Sequence, residues 1–145
     1  MTRVDVFPMG IDYEKYSGAA QMPDVQEQLD IVSKELGDKK TILSVDRLDY
    51  SKGIVQRLKG YKAFLEENGD YRGKVSLVMI VAPSRTQVRQ YQDLKREVEE
   101  LVSEVNGTFG TIGWTPIQYF FRSFGFVELT AMYVRSDVLL VTALR

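Results

Sequence analysis

Thr41-Ile42-Leu43-Ser44-Val45-Asp46-Arg47-Leu48-Asp49-Tyr50-Ser51-Lys52-Gly53 is the stretch on which the reading of this chain turns. Thr41 to Val45 has the apolar character of a buried strand, and from Ile54 the apolar positions Leu58, Tyr61 and Leu65 recur at helical spacing. Lys52 and Gly53 therefore fall at a helix start, where unpaired N–H groups and the positive end of the helix dipole favour phosphate. Arg47 offers a planar fork to phosphate oxygens and Lys52 a compact charge, a pair suited to the two negative charges of a leaving diphosphate. On spacing alone, the same residues also fit a pair of solvated surface cations.

The rest of the chain alternates strands with helices, as βαβ units of a parallel sheet do. Residues 1 to 23 read as a lead-in, with Phe7-Pro8-Met9-Gly10 as an extended segment entering a turn and Gly10 supplying a backbone angle other residues resist. Pro23 to Leu36 reads as a helix with Val25, Leu29, Val32 and Leu36 on one face and Gly37 as its stop. After the polar connection Gly69 to Gly73, the run Val75 to Val81 is apolar throughout, as in a central strand covered on both faces. Thr86 to Asn106 carries a helical stripe through Val88, Tyr91, Leu94, Val98, Leu101, Val102 and Val105, and Asn106-Gly107 reads as its end. Thr111 to Trp114 is expected as a third strand, Phe126 to Arg135 as a helix and Val138 to Leu144 as a fourth strand. Arg47 and Lys52 then follow the first strand, Arg85 the second and Trp114 to Pro116 the third, all at carboxyl ends where open α/β sheets bind ligands.

Composition narrows the chemistry. With 145 residues, 44% apolar, the chain can bury one core. Nineteen basic residues against twenty acidic ones give a net charge of -1, so no global field draws it to nucleic acid or an anionic membrane, and neither is expected as a partner. It has no cysteine and no histidine, which removes disulfides, thiolate or Ser-His nucleophilic machinery and His- or Cys-ligated metal from these residues. No apolar run approaches a membrane span, and the expected compartment is the cytoplasm.

Arg47-Leu48-Asp49-Tyr50-Ser51-Lys52-Gly53 resembles the signature of the trehalose-6-phosphate synthases, retaining glucosyltransferases of the two-domain GT-B type. Further blocks are similar to that family in the same order: Phe7 to Ile11, Ala82-Pro83-Ser84-Arg85, Tyr91-Gln92, Asn106-Gly107, Gly113-Trp114-Thr115-Pro116 and Ser136 to Arg145. The resemblance implies a Rossmann-like parallel sheet with helices on both faces. It implies further that residues 1–145 are an incomplete C-terminal, nucleotide-sugar-binding half, with the acceptor domain and the end of this domain absent. The implied reaction moves glucose from UDP-glucose to glucose 6-phosphate, giving α,α-trehalose 6-phosphate. In such enzymes the leaving phosphate assists the incoming hydroxyl on one face, so the protein supplies position and charge stabilisation and needs no metal or other cofactor.

By the same resemblance Arg47 and Lys52 stabilise the leaving diphosphate and Arg85 reaches the phosphate of glucose 6-phosphate. Phe124, through its backbone, and Leu129 lie at the nucleoside. Each has a plainer alternative: Arg85 as a charge near a helix start, Phe124 and Leu129 as core. Trp114 reads as a packing anchor rather than a sugar platform. Asp46 and Asp49 are expected to orient Arg47 and cap the turn. Gly125 stands where the family often has proline and is expected to loosen that turn. An incomplete sheet implies exposed apolar surface after Val138 to Leu144, hence possible self-association. The alternative readings are a nucleotide-binding module only, or a related transferase with another acceptor.

Overall fold

The computed structural model describes residues 8–144. Four parallel strands form one sheet: β1 (Lys40–Arg47), β2 (Val75–Ala82), β3 (Ile117–Phe120) and β4 (Val138–Leu139), in the order β3-β2-β1-β4. Five α-helices surround it: α1 (Tyr13–Ala19), α2 (Pro23–Leu36), α3 (Ile54–Glu67), α4 (Arg89–Phe109) and α5 (Phe126–Arg135). The connections from β1 to β2 and from β2 to β3 step outward one way, and that from β3 returns past β1 to β4. The order reverses between β1 and β4, which makes that crevice the topological switch point.

Alternation along the central strand explains the layers. Val75, Leu77, Met79 and Val81 of β2 face α3 and α4, packing with Leu58, Leu65, Val98 and Val105; Val78 and Ile80 face α2 and α5, packing with Leu36 and Met132. Leu58, Leu65, Leu77 and Met79 are fully buried, and each such side chain contributes about 1.5–3 kcal/mol relative to exposure. Helices thus cover both faces, as the apolar run of β2 requires. Among the described residues no helix is long and apolar enough to cross a membrane.

Several boundaries differ from the sequence reading. The lead-in contains α1, capped by the Asp12 carboxylate on the Lys15 N–H at 3.1 Å and docked through Tyr16 against Phe126. Gly10 has no positive φ; those angles belong to Gly37, Gly53 and Gly73, and Gly37 does stop α2. Phe7 lies outside the described residues, as does Arg145 at the other end.

The third strand is Ile117–Phe120. Thr111 to Trp114 is instead a tight turn closed by Thr111 and Trp114, with Ile112 fully exposed. Trp114 is the packing anchor expected of it: its indole is buried and Nε1 donates to the Val75 carbonyl at 2.8 Å and the Ser76 hydroxyl at 3.1 Å. Helix α4 starts later than Thr86, at Arg89, which leaves Val88 exposed ahead of the helix rather than on its stripe, and it runs through Asn106-Gly107 to Phe109. Asn106 does not break it because its side chain is occupied elsewhere, accepting from the Ile117 N–H at 2.8 Å and donating to the Ile117 carbonyl at 2.9 Å. Beyond Leu139 the chain leaves the sheet, so β4 is shorter than Val138 to Leu144, and Val138, Leu139, Val141 and Leu144 are all exposed.

Candidate donor-binding site at the switch point

Strands β1 and β2 pair in register over their whole length, Lys40 with Val75 through Arg47 with Ala82. Their carboxyl ends are therefore level, and the two following loops leave side by side, tied by the Leu48 N–H to the Ala82 carbonyl at 2.8 Å. Arg47 closes β1, and a 3-10 turn, Tyr50–Lys52, follows before α3.

Asp49 organises that turn. One carboxylate oxygen accepts from the Ser51 N–H at 2.9 Å and the Ser51 hydroxyl at 2.7 Å, and the other meets the Arg47 guanidinium at 3.2 Å. These bonds, the Ser51 hydroxyl first, hold the Asp49 carboxyl down to about 2. Asp49 thus both caps the turn and orients Arg47, as expected. Asp46 does not share that work; it pairs with Arg57 of α3 at 2.7 Å.

A group whose carboxyl is depressed in the folded state stabilises it fully above its unfolded value, near 3.9, and loses that contribution as pH falls toward about 2. In urea titrations, the stability gap between wild type and Asp49→Asn should be constant at neutral pH, narrow from about pH 4 and close by about pH 2. A gap independent of pH would mean the turn does not depend on the ionised carboxylate.

The Arg47 side chain remains 58% exposed despite its partner. The Lys52 ammonium takes no hydrogen bond or ion pair among the described residues. Gly53, at φ 63°, turns the chain into α3, whose N-terminus no side chain caps. The left-handed angle has a second cause: the Thr142 carbonyl passes directly over Gly53, leaving no room for a Cβ.

Arg85 lies in the loop after β2, four residues ahead of α4 rather than in its first turn. Its φ of 46° is the one positive φ outside glycine among the described residues, the kind of strained backbone that persists where surroundings hold it. Its guanidinium lies 5.7 Å from the Tyr91 ring centroid with Nη1 3.4 Å from the Tyr91 hydroxyl, so the neighbour is an aromatic ring rather than an anion. Tyr50 of the 3-10 turn packs edge-on against the same ring at 5.9 Å. The Tyr50–Tyr91 contact thus ties the turn that carries Lys52 to the loop that carries Arg85.

Phe124 and Leu129 sit elsewhere, past the end of β3 in the layer of α2 and α5, where both pack against the core. Arg122 stacks on the Phe124 ring at 3.8 Å, and a cavity of about 250 Å³ opens beside them. Gly125 does not loosen this turn. Its φ of -71° is ordinary, and its N–H donates to the Glu128 carboxylate at 3.1 Å, a bond a proline could not make. That bond, with the Arg122 guanidinium, holds the Glu128 carboxyl below its usual range.

The cavities that open beside α3, between α2 and α5, around Trp114 and beside Tyr16 are not lined by Arg47, Lys52 or Arg85. Sequence reasoning missed Arg57, an arginine beside Leu58 on the buried stripe of α3; a charge at a core position was the signal.

The chain is 43% identical over its full length to the UDP-forming α,α-trehalose-phosphate synthase of Schizosaccharomyces pombe, of which it spans 28%. The E. coli trehalose-6-phosphate synthase bound with UDP-2-fluoro glucose superposes with a TM-score of 0.91 at 37% identity, over 99% of this chain and 32% of that one. A UDP-forming synthase from Burkholderia xenovorans in complex with glucose-6-phosphate gives 0.90 at 33%, over 96% of this chain and 30% of that one. The chain therefore spans about a third or less of the length of these relatives, and its sheet and helices match the GT-B architecture of the solved synthases. The model of glycosyltransferase family 20 matches residues 1–145. On that match, with these likenesses beside it, the chain belongs to glycosyltransferase family 20.

Proposed function

We propose that this chain is part of the donor-binding half of a retaining enzyme that transfers glucose from UDP-glucose to glucose 6-phosphate, giving α,α-trehalose 6-phosphate and UDP. One observation carries the reading: an exposed guanidinium hinged on a carboxylate and an ammonium that takes no partner among the described residues stand five residues apart on the turn at the switch point. Ligands of open α/β sheets enter that crevice, and two cations there suit a diphosphate.

In the proposed reaction the bond between glucosyl C1 and the β-phosphate oxygen breaks as C1 bonds to O1 of the acceptor on the same face. The acceptor proton passes to the leaving phosphate oxygen, so the configuration at C1 is kept without a protein carboxylate pair. Arg47 and Lys52 take up the negative charge that grows on the diphosphate. Arg85 holds the acceptor phosphate from across the cleft, the Phe124 backbone pairs with the base, and Leu129 packs beside the nucleoside. The two cations carry the role a divalent ion has in other transferases, so no metal is assigned.

On this reading the acceptor domain and the end of the donor-binding domain lie outside these 145 residues. For the 145-residue chain alone, a donor site without the acceptor domain favours nucleotide binding without transfer. Calorimetry of this chain with UDP should give weak binding, and UDP release from UDP-glucose and glucose 6-phosphate should require the intact enzyme and survive a chelator. Turnover by the short chain, or an intact enzyme silent with this substrate pair, would overturn the assignment.

A further inference from the structure

Arg57 stands at the start of α3 with its side chain completely buried. A buried guanidinium costs several kcal/mol in lost hydration unless its donors are matched. Its partners come from three separate places. From β1, the Asp46 carboxylate meets Nη2 at 2.7 Å, and the Ser44 hydroxyl accepts from Nη1. From the cationic turn, the Lys52 carbonyl accepts from Nη2 at 3.3 Å. From the segment past β4, the Thr142 hydroxyl accepts from Nε at 3.0 Å. That hydroxyl stands 3.3 Å from the Lys52 carbonyl and 3.2 Å from the Gly53 carbonyl, and donates its one proton to either. Nearby, the Leu144 N–H donates to the Ser51 carbonyl at 2.7 Å.

A plain core ion pair would need Asp46 alone. Here the fork also reaches the Ser44 hydroxyl of β1, the backbone behind Lys52 and a hydroxyl 85 residues away. We infer that Arg57 is a positioning residue that, with the Thr142 hydroxyl, locks the Lys52–Gly53 turn to segment 140–144, so the two form one preset wall at the switch point. The kinetic consequence rests on the function proposed above, because the wall matters for a diphosphate only if one binds there; the lock itself does not.

Thr142→Val in the intact enzyme removes the linking hydroxyl and leaves the Arg57–Asp46 pair in place. Hydrogen exchange at the Lys52 and Leu144 amides should quicken about tenfold, the scale of one lost hydrogen bond to a charged group, with Leu43 to Val45 unchanged. The KM for UDP-glucose should rise about tenfold while that for glucose 6-phosphate stays put. Arg57→Lys, which keeps the charge facing Asp46 but lacks the fork, should reproduce both effects.

Wild-type protection at Lys52 and Leu144 in Thr142→Val would overturn the lock. Faster exchange with an unchanged KM for UDP-glucose, or a lowered Tm with both KM values intact, would overturn the positioning role, since those describe stability alone. An intact wild-type enzyme without activity toward UDP-glucose would sink the proposed function and not the lock, which the exchange measurement reads by itself.

Discussion

Alanine at Arg47 or at Lys52 should lower turnover of the intact enzyme by about a hundredfold or more, the loss seen when one group aimed at developing charge is removed. A hundredfold is about 2.7 kcal/mol of transition-state stabilisation. The charge on the leaving diphosphate is greatest as the glycosidic bond parts, so kcat should fall further than the KM for UDP-glucose rises. Stability should barely move. The Arg47 side chain is more than half exposed, and surface substitutions of this kind usually stay within about 0.5 kcal/mol. Arg47→Lys should recover only part of the rate, because a point charge replaces a fork that matches phosphate oxygens in pairs. Steady-state kinetics beside thermal melts decide the matter; wild-type-like kcat in both alanine variants would refute the roles given to these cations.

Gly53→Ala should be the most damaging single-atom addition to the chain. An L-residue held in the left-handed region costs about 1–2 kcal/mol. The new Cβ would also be driven into the Thr142 carbonyl, with Leu144 Cδ2 at 3.3 Å. Since the carbonyl is backbone, relief requires segment 142–144 to lift from the turn, breaking the Leu144 to Ser51 bond. The expected result is a loss of more than about 2 kcal/mol in urea unfolding, together with loss of UDP affinity. Gly60→Ala is the control, because nothing lies within 4 Å of a Cβ there and its φ is not positive; it should be neutral or mildly stabilising. Equal stability of the two variants would show that the close approach at Gly53 does not constrain the turn.

The elements that were plain in the sequence are those whose pattern is local. The apolar run of β2, the stripe of α3 and the Gly37 stop after α2 each follow from neighbouring residues, and the basic turn after β1 was legible because strand and helix signals flank it directly. Helix α1 was hidden because it buries only Ala19 and so has no stripe. Thr111 to Trp114 imitated a strand by composition, yet a strand there would have set Ile112 and Trp114 on one face, and the chain buries one and exposes the other. Strand order was not legible at all, and with it the placement of the Arg47–Lys52 turn at the switch point. The Arg57 network escaped for the same reason, since Thr142 meets that side chain only once β4 lies beside β1. Gly125 was misread because its worth is its N–H rather than its freedom.

The claim at the centre of this account is that the cationic turn after β1 receives the donor's diphosphate. A crystal structure of the intact enzyme with UDP tests it most directly: the Arg47 guanidinium and the Lys52 ammonium should both lie about 3 Å from diphosphate oxygens. A diphosphate held by other groups, with both side chains left in solvent, would contradict it.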